Sequence, residues 1–199
     1  MKRSAVPMTV LCCALLAGPA LASFGGGSGS DRSGPSASGA SATGGEASPR
    51  EEAEQLYASA YEQVAQARKD LAGGKAKNAE KRFRQARELG EKAVALDRDY
   101  HEAWNLVGFA ARKLGDYEKA FEAYEKCLAI KPDYAPAREY LGEAWLEKGD
   151  AGRARAQLAL LEGYGERATE DARTLRTAIE AYDAAHAATD AADSTGAGK

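Results

Sequence analysis

The side chains in this sequence that could do chemistry are few and far apart. Its two histidines, His101 and His186, have neither a second histidine nor a cysteine at the four-residue spacing of a zinc-binding helix. The segment Leu71-Ala-Gly-Gly-Lys75 resembles a phosphate-binding loop in part, but it lacks the first glycine, the following Ser or Thr and the preceding strand. These segments therefore indicate no metal site and no phosphate site.

Cys127 is the remaining candidate for catalysis. A cysteine nucleophile needs an accessible and stabilised thiolate, whereas a buried free cysteine acts as a small hydrophobic side chain. We predict the buried role, with a thiol-dependent enzyme as the least favoured alternative. The sequence as a whole thus predicts a protein that is not an enzyme, with no catalytic residue, no metal and no cofactor.

The first 22 residues have the organisation of a secretory signal peptide. Lys2 and Arg3 precede an apolar run over residues 10–17, and Ala20-Leu21-Ala22 offers the small residues of a cleavage site. An uncleaved anchor is the alternative, but prolines and a glycine interrupt the run well short of the about 20 apolar residues that span a bilayer. We expect an exported, most simply periplasmic protein, with secretion as the alternative and no membrane insertion after cleavage.

Charge and composition narrow the function further. Loss of the signal peptide would leave 25 basic residues against 30 acidic ones, a balance that does not attract nucleic acid. Residues 23–50 and 188–199 are rich in Ser, Gly and Ala, and we predict that both are disordered, the first as a linker and the second as a tail. The core must then come from residues 51–187, where alanine is abundant and Val and Ile are scarce, which favours helices.

A shift of 34 residues superimposes successive stretches of the chain. It places Gly115-Asp116 on Gly149-Asp150 and Asp99-Tyr100 on Asp133-Tyr134. Apolar residues recur at three- and four-residue steps on both sides of each Gly-Asp pair, where glycine can end one helix and aspartate can cap the next. Each unit is therefore predicted to be a helical hairpin.

The unit at residues 101–134 resembles a tetratricopeptide repeat. The residues that carry this resemblance are Trp104, Val107, Gly108, Ala120, Tyr124 and Pro132. Ala111 and Cys127 depart from the family pattern, which has a large aromatic residue at the first position and alanine at the second. The resemblance implies an all-α fold, a short right-handed solenoid of hairpins in which Cys127 lies in a helix contact.

The neighbouring units follow the pattern less closely. Residues 135–168 have Arg138 in place of the first aromatic residue and Glu166 in place of the proline. Residues 51–100 are predicted to form a divergent N-terminal hairpin. A last helix over residues 166–187 has one apolar face, and we predict that it caps the open end of the solenoid.

The resemblance also implies a concave binding surface lined by the first helix of each hairpin. Its predicted residues are Glu102, Asn105, Phe109, Arg112 and Lys113 in one unit, and Pro136, Glu139, Glu143, Leu146 and Glu147 in the next. Asn105 and Arg112 could bond a peptide backbone or a carboxylate, and Phe109 and Leu146 could make apolar contacts. The glutamates suit a basic ligand, so the predicted partner is a protein or peptide with apolar and cationic side chains.

These features lead to one main hypothesis, a non-catalytic adaptor or scaffold of the cell envelope that binds a partner protein on this surface. The alternative is a homo-oligomer, a structural component that self-associates through the N-terminal hairpin. Tyr57, Tyr61 and Phe83 could form that interface.

Overall fold

The computed structural model describes residues 47–196, and their side chains as far as residue 187. The predicted signal peptide and residues 23–46 of the predicted linker lie outside this range. The described part consists of helices, without a β-strand, as the all-α prediction requires. The helices are α1 (Pro49–Ala72), α2 (Ala76–Leu96), α3 (His101–Lys113), α4 (Tyr117–Ile130), α5 (Ala135–Glu147), α6 (Ala151–Gly163) and α7 (Thr169–Gly196), with a 3₁₀ turn at Gly165–Ala168.

Successive helices pack as hairpins, α1 with α2, α3 with α4, and α5 with α6. Each hairpin packs on the next, because α2 contacts α3 and α4 contacts α5. The first helices also meet one another, α1 with α3, α3 with α5, and α5 with α7. We call the surface formed by α1, α3, α5 and α7 the inner face. This stack of hairpins is a solenoid of the tetratricopeptide type, as predicted.

The repeated turns have the chemistry that the sequence indicates. Gly115 and Gly149 adopt φ values of 77° and 82°, a left-handed conformation that glycine takes without steric cost. The next residue then caps the following helix. Asp116 Oδ1 accepts a hydrogen bond from Lys119 N at 3.2 Å, and Asp150 Oδ1 accepts one from Arg153 N at 2.9 Å. Both hairpins are thus closed in the same way, 34 residues apart.

Close helix contacts let the last helix cover the stack. A Cβ atom on Gly142 of α5 would lie 2.5 Å from Leu175 Cδ2 of α7, and Leu175 is fully buried. The absent side chain therefore makes room for α7 against α5. This contact places α7 where the capping helix was predicted.

Arg138 explains how the third hairpin, α5 with α6, tolerates the loss of an aromatic residue at the position equivalent to Trp104. Its guanidinium donates hydrogen bonds to Tyr164 Oη at 2.6 Å, Gln157 Oε1 at 3.1 Å and the Pro132 carbonyl at 2.9 Å. Tyr164 Oη donates in turn to the Pro132 carbonyl at 2.7 Å. This Arg138 network joins α5, the end of α6 and the loop before α5 with polar bonds in place of ring packing.

Both ends of the array differ from the predicted boundaries. α1 starts at Pro49, inside the predicted linker, because Ser48 and Glu51 form a capping box in which each side chain accepts from the other's backbone N–H. α7 continues to Gly196, into the segment 188–199 that was predicted to be a disordered tail. Alanine, which makes up much of this segment, is small but is also the strongest helix former.

None of the described helices is both long and apolar enough to cross a membrane.

Candidate functional site

The structure divides the predicted binding residues into a buried group and an accessible group. Asn105, Phe109, Arg112 and Leu146 are only 8%, 6%, 4% and 8% exposed. Lys113 is exposed, and the others are partly exposed, namely Glu102, Pro136, Glu139, Glu143 and Glu147. The prediction that Phe109 and Leu146 offer apolar contact surface is therefore wrong, because their own chain covers both.

Phe109 is covered by residues from three other helices. Its ring centroid lies 6.1 Å from that of Phe83 on α2 and 5.0 Å from that of Tyr140 on α5. The guanidinium of Arg68 on α1 lies 5.1 Å from the ring centroid, and Lys113 Nζ lies 5.5 Å from it. Cations favour the face of an aromatic ring. Phe109 thus holds neighbouring hairpins together.

Arg112 is likewise engaged within the chain. Its Nη2 lies 2.5 Å from Glu143 Oε2 and its Nη1 lies 2.9 Å from Glu147 Oε1, both on α5. Burial opposes the charge of this guanidinium, but the two carboxylates outweigh that cost and raise the pKa of Arg112. The predicted role of Arg112 as a free ligand for a partner carboxylate therefore does not fit its surroundings.

Glu139 of α5 and Asp171 of α7 form a hydrogen-bonded carboxyl pair on the inner face. Burial raises the pKa of Glu139 to about 9, with the charges of Glu143 and Asp171 adding to the effect. Burial also raises the pKa of Asp171. Two carboxyl groups in contact hold a proton between them, because both cannot ionise at low cost.

We call Glu139, Glu143 and Glu147, together with Asp171, the acidic strip. All four side chains are partly exposed. No Lys or Arg within residues 47–187 makes an ion pair with either member of the Glu139–Asp171 pair. The cations of the described chain therefore neutralise this strip only in part, at Glu143 and Glu147.

Sequence reasoning found three members of this strip and missed Asp171. The residue lies on α7, which was predicted only to cap the open end of the solenoid. The 34-residue register contained a signal, because Asp171 stands where Ala103 and Ala137 stand in the two preceding units. Because burial of a carboxylate is costly, an Asp at a position that is otherwise a buried alanine indicates that the surroundings of this position differ in the last unit.

The candidates for chemistry lie in unreactive settings. Cys127 is fully buried, and burial raises the pKa of its thiol to about 12, the reverse of what a nucleophile requires. His101 Nδ1 lies 2.9 Å from Glu102 Oε2, and the His186 ring stacks on Tyr182 at 3.8 Å. Within the described residues, no three His, Cys, Asp or Glu side chains gather as metal ligands would.

The aromatic residues of the N-terminal hairpin do not form a common exposed patch. Phe83 is buried, and the ring of Tyr57 packs on that of Tyr100 with centroids 5.1 Å apart. Tyr61 is 47% exposed. Of the three residues named for self-association, Tyr61 is thus the one that offers a large exposed surface.

Comparisons with known proteins give a family match over one repeat unit and partial similarity to two other proteins. Residues 101–134 match the family model described as Tetratricopeptide repeat. A segment of 60 residues is 33% identical to Protein FlbA of Caulobacter vibrioides, covering 30% of this chain but 10% of that protein. The solved structure titled "Crystal structure of MamA" aligns at 21% identity with a TM-score of 0.39, covering 60% of this chain and 88% of that one. Residues 101–134 are therefore identified as a tetratricopeptide repeat, a kind of repeat that generally forms part of a protein-protein interaction module.

Proposed function

We propose that this protein is a non-catalytic interaction module of the cell envelope that binds a cationic segment of a partner protein along the acidic strip. The observation that carries the proposal is the Glu139–Asp171 pair, two partly exposed carboxyl groups on neighbouring helices without a cation of the chain between them. A guanidinium or ammonium group placed there would meet two acceptors at once.

A bound cation would replace the proton that Glu139 and Asp171 share in the free protein. In the free protein, Glu139 holds that proton at neutral pH because its pKa is raised to about 9. A cation beside the pair favours the ionised form, so binding expels the proton into solution. Affinity for a cationic partner should then increase as the pH rises toward that value.

Charge rather than apolar contact selects the partner in this proposal. Phe109 and Leu146 are buried, so the apolar contribution expected from the sequence is small. Glu143 and Glu147 extend the strip on the side of α3, although each already bonds Arg112. A partner segment with two or more spaced Lys or Arg side chains therefore fits this surface better than an apolar segment.

The proposed location rests on the N-terminal sequence. Lys2, Arg3, the apolar run that follows and Ala20-Leu21-Ala22 are typical of an exported precursor. Fractionation of cells that produce a C-terminally tagged protein tests this point. We expect a shortened product in the periplasmic fraction, and a full-length product in the cytoplasm would contradict it.

In-cell crosslinking tests the binding surface. We expect that the Glu139→Gln, Asp171→Asn double variant loses a crosslinked partner that the native protein retains. Glu118→Gln with Glu180→Gln is the matched control, since it removes two exposed carboxylates with no ion pair in the described chain. Equal loss of the partner in both variants, or in neither, would contradict a role for the acidic strip.

A further inference from the structure

A second groove lies on the other side of the stack, between α2 and α4. It has a volume of about 680 Å³ and is lined by apolar and cationic side chains. We call it the outer trough and define it by Val94, Val107 and Ile130 on its apolar surface and Arg98, Lys119 and Lys126 around it. None of these residues belongs to the acidic strip, so the two surfaces are separate.

The apolar part of the outer trough is preformed. Val107 and Val94 are buried beneath the trough, so the apolar surface that a ligand can contact is Ile130, which is 37% exposed, together with the partly exposed ring of Trp104. The indole N–H of Trp104 donates to the Arg98 carbonyl at 2.8 Å, and Lys126 Nζ lies 4.5 Å from the centroid of the indole ring. These contacts fix the aromatic side chain, so a ligand would meet an ordered surface.

The charge around the trough is locally positive in a protein whose net charge is -3. Lys119 and Lys126 share one carboxylate, with Nζ atoms 3.5 Å and 2.7 Å from Glu122. Glu91 is the acidic lining residue. The Arg98 guanidinium has no hydrogen-bond or ion-pair partner among the side chains of residues 47–187. The Arg98 guanidinium at this edge of the trough can therefore pair with an anionic group of a ligand.

The equivalent groove of the next repeat is smaller. In the 34-residue register, Arg138 and Tyr164 stand at the positions of Trp104 and Ile130, and the Arg138 network bonds them to each other. The remaining space has a volume of about 250 Å³, and the Arg153 guanidinium there lies 4.3 Å from the Trp145 ring. The larger volume is therefore a property of the first site and does not follow from the repeat geometry alone.

We propose that the outer trough docks a segment of a partner protein in which a carboxylate side chain stands beside bulky apolar side chains. The carboxylate pairs with Arg98, and the apolar side chains cover Ile130 and the indole edge of Trp104. Charge complementarity sets this choice, because an apolar segment without a carboxylate would leave the exposed Arg98 guanidinium unpaired.

Nuclear magnetic resonance of the 15N-labelled protein tests the proposal, because its two tryptophans give two separate indole signals. The probe is a short synthetic peptide of paired Glu and Leu residues, with a matched peptide that has Lys in place of Glu. We expect the Glu peptide to shift the Trp104 indole signal to saturation, with little change at Trp145. The Lys peptide should leave the Trp104 signal in place, even where it binds the acidic strip.

Two charge reversals complete the test. Arg98→Glu should weaken binding of the Glu peptide roughly 10-fold or more, while Arg153→Glu in the smaller groove should leave it unchanged. Arg98 has no side-chain partner in the described chain, so its reversal should leave the melting temperature near that of the native protein. The proposal is overturned by no saturable Trp104 shift up to about 1 mM peptide, or by an equal response to both peptides. It is also overturned if decanoate saturates the Trp104 signal and the Glu peptide does not compete with it, since the site would then suit a small amphiphile.

Discussion

Arg112 Nη2 of α3 lies 2.5 Å from Glu143 Oε2 of α5, and this ion pair crosses the inner face between two successive hairpins. The guanidinium is almost fully buried and also bonds Glu147. A residue expected to bind a partner is thus part of the bonding that holds the solenoid together. The members of the acidic strip that do not pair with Arg112 are Glu139 and Asp171, and these remain available to a partner.

Removal of the Arg112 side chain should destabilise the protein. Arg112→Ala leaves Glu143 and Glu147 without their cation, and we expect a loss of about 2 kcal/mol. This value is below the usual cost of breaking a buried pair because both carboxylates are partly exposed. Urea denaturation measures the change. Arg173→Ala, which removes an exposed pair with Glu170, should cost under about 0.5 kcal/mol, and an equal loss in both variants would contradict the assignment.

Glu139→Gln should stabilise the protein at high pH. The pKa of Glu139 rises from 4.5 in the unfolded chain to about 9 in the folded one, so the folded state favours the protonated carboxyl. Stability is then lost as the pH rises from 4.5 toward 9, and the neutral amide avoids that loss. We expect the melting temperature of the variant to exceed that of the native protein by several degrees at pH 9 and to match it near pH 4. A difference that does not change with pH would contradict the raised pKa.

Gly142→Ala should destabilise the packing of the capping helix against the stack. The added Cβ would lie 2.5 Å from Leu175, and overpacking of this kind costs about 1–3 kcal/mol. Gly163→Ala is the control, because a Cβ there meets nothing within 4 Å. Chemical denaturation should show the loss for the first variant only. Recovery of part of the stability in a Gly142→Ala, Leu175→Ala double variant would locate the clash, and independent effects of the two substitutions would argue against it.

Cys127 should be unreactive in the folded protein. Its thiol is fully buried with a pKa raised to about 12, so little thiolate is present and reagents have no access. In a chain that starts at Ser23, Cys127 is the only cysteine. We expect labelling by a disulfide reagent at pH 8 to be at least about 100-fold slower than in urea. Rapid labelling of the native protein would revive the thiol-enzyme hypothesis.

Sequence patterns predicted the fold well because the information for it is local. The Gly-Asp pairs at residues 115–116 and 149–150 close hairpins through backbone conformation and capping, both of which depend on the residues beside them. The extent of α7 was missed since composition alone does not separate a flexible alanine-rich tail from a helical one.

The candidate site was harder to predict because its properties depend on residues distant in the sequence. Phe109 is buried by Arg68 from α1 and Tyr140 from α5, and neither contact follows from the repeat pattern. The raised pKa of Glu139 likewise needs Asp171, which lies on a helix treated only as a cap. Register identified which residues lie on the inner face, but not which of them their neighbours cover.

Proton release on binding tests the central claim most directly. Titration calorimetry of the protein with the Lys peptide at pH 7, in buffers of different ionisation enthalpy, counts the protons expelled. We predict about one proton released per peptide bound, and none in the Glu139→Gln, Asp171→Asn variant, whose affinity should also fall. Binding of equal strength in both proteins without proton release would contradict the claim that the Glu139–Asp171 pair receives the cation.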